Sequence, residues 1–148
     1  MFGKVQIIKT LAISKIVLSA TLLPVPHGLI EKLNKVLFNY LWGHTDKVKR
    51  IKVIRKVKDG GLNMVDVKSL FEALKAAWVG RIINAKPENS AWVQLSYMYL
   101  QKLGPIDLVL RFKFDETVIF EKLDMLYPFL REVVSCYSKA NTTDIEQL

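Results

Sequence analysis

Seven cations fall between positions 47 and 58: Lys47, Lys49, Arg50, Lys52, Arg55, Lys56 and Lys58, interleaved with Val48, Ile51, Val53, Ile54 and Val57. Asp46 is the single acid across positions 46–58. Such a strip suits a polyphosphate backbone, whose charge repeats along its length, better than a small substrate. The competing reading is a solvated charged face with no ligand. Density favours the ligand, as does the Asp59-Gly60-Gly61 turn that follows, since glycines can bring backbone amides close to a phosphate.

Catalytic chemistry finds no comparable support. Two-metal phosphoryl transfer needs clustered carboxylates holding ions roughly 3.5–4 Å apart. Asp115-Glu116 is the only adjacent acidic pair, and it reads as helix-start acids. His27 and His44 have no nucleophile motif near them. Gly3-Lys4 lacks the upstream glycine and the Ser/Thr of a phosphate loop. The one cysteine, Cys136, can form no intramolecular disulfide, and with two histidines it makes no usual zinc set. No catalytic residue, metal ligand or cofactor is assigned, and the cysteine usage fits an intracellular compartment, nuclear or cytoplasmic.

The strip belongs to the basic part of a divided chain. Residues 1–86 hold 16 Lys+Arg against 5 Asp+Glu, a net of +11, and residues 87–148 hold 6 against 9, a net of −3. Any polyanion should meet the first part. With 148 residues and 51% hydrophobic composition the chain can bury a sizeable core. The expected organisation is a basic helical region, 1–86, and an acidic helical extension, 87–148, packed together as one unit.

Helices must position the strip. Val5, Ile8, Leu11, Ala12, Ile16, Ser19 and Leu23 follow helical spacing and predict a helix over Gly3–Leu22, buried on most sides. Its lysines, Lys9 and Lys15, and the prolines after it argue against a signal peptide, and no uninterrupted apolar run approaches the roughly 20 residues of a membrane span. No membrane partner is expected on this count. Pro24-Val25-Pro26 breaks the helix. A second runs from His27 or Gly28 to Trp42-Gly43, with Ile30, Leu33, Leu37, Tyr40 and Leu41 inward.

Within 47–58 strand and helix both stay open; β-branched richness tips the reading toward an extended segment, and a small hairpin around residues 51–65 through Gly60-Gly61. Asp66 then caps a helix with Leu70, Phe71, Leu74, Ala77, Trp78 and Ile82 on one face. Asn89 or Ser90 starts another, with Trp92, Leu95, Met98, Tyr99 and Leu103 as its inward stripe. A weak strand over 108–114, a short helix near 117–123 and a last helix from Pro128 to about Lys139 complete the chain, before a polar tail. The fold class is mainly α, bundle-like, with a short extended insertion. Trp42, Trp78 and Trp92 lie on apolar stripes and read as structural anchors.

The order of these signals resembles the thumb and connector that follow the polymerase core in reverse transcriptases of non-LTR (LINE-type) retrotransposons. The residues that carry the resemblance are Gly3-Lys4, Ile8-Lys9, Ser14-Lys15, Leu23-Pro24-Val25-Pro26, Tyr40-Leu41-Trp42, Arg50-Ile51, Gly60-Gly61-Leu62, Asp66, Ala73 and Trp78, with Tyr127 to Val134 as a looser echo downstream. Val57-Lys58 stands where many relatives place proline before lysine. The resemblance implies a detached, non-catalytic piece of an RNA-directed DNA polymerase whose palm and metal-binding aspartates lie outside this chain. Its expected partners are RNA or an RNA–DNA hybrid, met through the seven cations, and the missing polymerase core. Two other readings stay open: a stand-alone helical module docking a protein through Val5–Leu23, and a membrane-surface protein using that helix with the cationic run.

Overall fold

The computed structural model describes residues 1–43, 48–85, 90–105 and 127–143. Among them helix is the predominant regular structure, and there is no strand. The weak strand and short helix expected over 108–123 lie outside the described residues, as do His44, Lys47 and the Asp115-Glu116 pair. Two compact units divide the chain, Met1–Phe71 and Glu72–Leu148, and the seam lies earlier than the charge boundary at 86/87.

The first unit begins with α1 (Phe2–Ile7), a π-helical turn (Ile8–Ile13) and α2 (Ser14–Leu22), one continuous helix over Phe2–Leu22. Leu23 turns extended where Pro24 follows, as expected for a residue before proline. The expectation of burial on most sides is corrected. Val5, Ile8, Ile13, Ala20 and Thr21 are buried, whereas Phe2, Ile7, Leu11, Leu18 and Leu22 are exposed. By length and composition this helix is also apolar enough to cross a membrane, because interspersed lysines do not outweigh its leucines and isoleucines.

Helix α3 (Leu29–Trp42) starts after Gly28 and ends at Gly43, both at positive φ. It buries Leu37, Phe38 and Leu41; Tyr40, expected inward, is exposed, and Phe38, which the spacing did not single out, is buried instead. Lys4 fastens the N-terminal helix to the far end of α3: its Nζ donates to the carbonyls of Tyr40 (3.2 Å) and Leu41 (3.3 Å) and sits 5.6 Å over the Tyr40 ring. A cation there also complements the negative end of the helix dipole.

Next come α4 (Arg50–Ile54) and a 3₁₀ turn (Val57–Asp59) in place of the expected hairpin. The return chain does not form a ladder. Leu62 and Met64 amides both donate to the Val53 carbonyl (3.0 and 3.2 Å), and the Asn63 amide donates to Arg55 (2.8 Å). Carbonyls at the end of a helix have no partner inside it, so these donors satisfy acceptors that a short helix leaves open. Gly60 (φ +76°) closes the turn, and Gly61 passes so near that a Cβ would stand 2.1 Å from the Arg55 carbonyl oxygen. Backbone cannot yield as a side chain can, so Gly61→Ala is expected to destabilise the first unit by about 2 kcal/mol, read by chemical denaturation. An unchanged midpoint would show that the turn accommodates the methyl group.

Helix α5 (Val67–Asn84) follows Asp66, which accepts a hydrogen bond from the Ser69 hydroxyl, and it runs across the seam. In the second unit α6 (Ala91–Leu100) and α7 (Pro128–Thr143) follow, with Ser90 before α6 and Pro128 opening α7 as anticipated. Ile82, Leu100, Leu130 and Val134 form a core cluster flanked by Tyr97, Tyr99, Leu103 and Phe129. The predicted stripe of α6 is corrected: Val93, Ser96 and Leu100 are buried, and Trp92, Leu95 and Met98 are exposed. Trp78 meets Trp92 and Phe129 edge to face, with centroids at 5.2 and 5.4 Å. Lys75, expected on no buried face, is 1% exposed.

Candidate nucleic-acid interface

Each described residue of the cationic strip is exposed: Lys49, Arg50, Lys52, Arg55, Lys56 and Lys58. Lys49 occupies the N-cap of α4, Arg50 and Lys52 lie within it, Arg55 is its C-cap, Lys56 links to the 3₁₀ turn and Lys58 sits in that turn. Val53, 3% exposed, is the anchor that holds this stretch down. Around it the cations radiate outward because each apolar neighbour is either spent on that anchor or left at the surface. Arg50 stacks its guanidinium 4.9 Å over the Phe38 ring, which fixes one charge against α3.

The idea that Gly60 and Gly61 offer amides to a phosphate is corrected. The Asp59 and Gly61 amides both donate to the Lys56 carbonyl, at 3.0 Å, and the Gly60 amide donates to Val57 at 3.1 Å. With Leu62, Asn63 and Met64 bonded as above, every amide from 59 to 64 is already used. Gly60 and Gly61 therefore shape the turn, and contact with an anion falls to lysine and arginine side chains alone. Four lysines and two arginines are thus the groups on this stretch with charge to offer an anion.

Lys9 is a neighbour that the sequence reading did not include. It lines, with Phe2, Gly3, Val5 and Gln6, a cleft of about 400 Å³ whose other wall is Val57, Leu62 and Asn63. It lies in the π-helical turn, and the cleft wall formed by Val57, Leu62 and Asn63 brings it beside the strip. The structural anchors divide as well. Trp42 is half-buried at the end of α3 with its Nε1 enclosed, Trp78 is half-buried in the aromatic cluster of the second unit, and Trp92 is partly in solvent. Asp66 immediately precedes α5, and its carboxylate accepts from the Ser69 hydroxyl.

Among the described residues no group of three or more His, Cys, Asp or Glu side chains is placed to hold one metal ion. Cys136 is half-buried, and its thiol is pushed up to about 11, first by burial and then by the Glu72 carboxylate. A thiol so far from thiolate at neutral pH is a poor nucleophile and a poor metal ligand. Comparison with protein-family models, with curated proteins and with solved structures finds no match for this chain.

Proposed function

We propose that this chain is a non-catalytic thumb-and-connector piece of a LINE-type reverse transcriptase polyprotein, holding template–primer duplex or element RNA by its backbone. One observation carries the reading. Six cations of one twelve-residue stretch are all in solvent, on a turn that Gly61 and Val53 fix, with no carboxylate between Lys49 and Lys58. The ordered motifs from Gly3-Lys4 to Trp78 supply the family, and the helical fold agrees with a thumb. Lys47, which lies outside the described residues, completes the strip on sequence grounds. The parent's polymerisation would be performed by a palm elsewhere, and this piece would position nucleic acid behind it.

The purified chain is expected to bind single-stranded RNA and an RNA–DNA hybrid without sequence preference. With about six phosphates neutralised, log affinity should fall against log salt with a slope near −4 on single strands. Fluorescence anisotropy across a salt series reads that slope. A slope between 0 and about −1 would sink the proposal, and so would strong preference for one RNA sequence.

A further inference from the structure

The N-terminal helix carries a feature that nucleic-acid binding does not use. Ile7, Leu11, Leu18 and Leu22 stand in solvent, Leu11 at 59% and Leu18 at 67%, and their spacing sets them on one side of the helix. Thr10 and Ser14 are exposed among them, and both hydroxyls are already spent within the helix. Thr10 Oγ1 donates to the Gln6 carbonyl at 2.9 Å, and Ser14 Oγ donates to the carbonyls of Thr10 (2.6 Å) and Leu11 (3.2 Å). A hydroxyl whose donor is satisfied internally loses little on leaving water. The stripe is thus apolar in its carbon and prepared for an apolar medium in its oxygen.

Charge selects the medium. Residues 1–30 contain no Asp or Glu, while Lys15 is exposed on this helix and the cationic strip lies in the same compact unit. The cleft between Phe2–Lys9 and Val57–Asn63 ties that strip to the first turns of the helix. A second copy meeting it stripe to stripe would set cations against cations. A surface of anionic headgroups over acyl chains answers both the leucines and the lysines. Burial of Val5, Ile8 and Ile13 in the first unit keeps the opposite side of the helix in protein, which suits a helix lying in the interface plane and not one spanning it.

We propose that the helix Phe2–Leu22 seats its Ile7–Leu22 stripe in the headgroup region of an anionic lipid surface, with the lysines supplying the attraction. This proposal stands apart from the nucleic-acid reading, and the test keeps the two separate. The full chain is co-sedimented with vesicles of equimolar phosphatidylserine and phosphatidylcholine, and with phosphatidylcholine alone. Two variants accompany it, Leu11→Ser/Leu18→Ser and Ser14→Asp, each checked by circular dichroism for unchanged helix content and by anisotropy for RNA binding.

The parent is expected to partition onto the anionic vesicles and not the neutral ones. The double variant should partition at least about tenfold less, since each exposed leucine would otherwise be buried in lipid. Ser14→Asp should lower it similarly, and RNA binding should be unchanged in both. Absence of the parent from anionic vesicles overturns the proposal, as does partitioning of both folded variants equal to the parent. A parent that is a soluble oligomer dispersed by Leu11→Ser/Leu18→Ser, with no vesicle binding, overturns it in favour of a second copy on the stripe.

Discussion

A chain with Lys49, Arg50, Lys52, Arg55, Lys56 and Lys58 all replaced by glutamine is expected to bind RNA about 100- to 1,000-fold more weakly than the parent near 50 mM salt. Counterion release is the reason. Each cation that neutralises a phosphate frees a condensed ion, so removing six should both lower affinity and flatten the salt slope toward zero. Glutamine keeps length and hydrogen-bonding capacity, and the change isolates charge. The fold should survive, because all six side chains are exposed and the anchors Val53, Met64 and Gly61 are untouched. Arg50 also gives up its stacking on Phe38, worth about 0.5–1 kcal/mol at an exposed site. Affinity within threefold of the parent, measured by anisotropy on a folded variant, would mean that the strip is a solvated face and that RNA, if bound, is bound elsewhere.

The strip was legible as composition, and its geometry was not. Cation identity, the turn at Gly60-Gly61 and the helix start after Asp66 need only local chemistry, and each is where the residues put it. The boundaries at Pro24, Gly43 and Pro128 are local in the same way. Strand or helix at 50–54 was decided by a non-local fact: the amides of Leu62, Asn63 and Met64 return to the carbonyls of Val53 and Arg55, which rewards a short helical turn. That same return consumes the donors that a phosphate was expected to find.

Helix α6 failed for a different reason. Trp92, Leu95 and Met98 outweigh Val93, Ser96 and Leu100 in apolar size, yet the smaller face is buried. Periodicity ranks faces by hydrophobicity, whereas packing ranks them by fit, and Ser96, bonded to the Trp92 carbonyl at 2.8 Å, is small enough for close approach. The N-terminal helix shows the reverse case, where apolar residues on several sides suggested burial on most sides, yet Phe2, Ile7, Leu11, Leu18 and Leu22 remain in solvent. The candidate lipid stripe therefore became visible only with the fold.

Glu132→Ala is expected to destabilise the second unit by about 3 kcal/mol, and Lys75→Met to leave it unchanged or more stable. Lys75 Nζ lies 3.5 Å from a Glu132 carboxylate oxygen and 4.5 Å over the Phe129 ring, with side-chain exposures of 1% for Lys75 and 29% for Glu132. Removing the carboxylate takes away a charge that offsets burial of the ammonium, whereas methionine removes the charge and keeps the stem that packs there. Urea denaturation of both variants reads the difference; equal losses would show that the pair acts through volume and not through charge.

The pH dependence gives a second reading of the same site. Burial holds the Lys75 ammonium below its usual 10.5, with Glu132 pulling it back up. The unfolded chain therefore binds more protons as pH approaches 10.5, and this group adds stability as pH rises through that window. Cys136 runs the other way. Its folded thiol sits at about 11 against 9.0, so stability present below pH 9 is lost as pH climbs toward 11. In Cys136→Ala only the lysine's rise should remain, and in Lys75→Met only the cysteine's fall. Identical alkaline profiles in the two variants would mean that neither group is linked to folding through its burial, and that the Lys75–Glu132 pair stands in solvent.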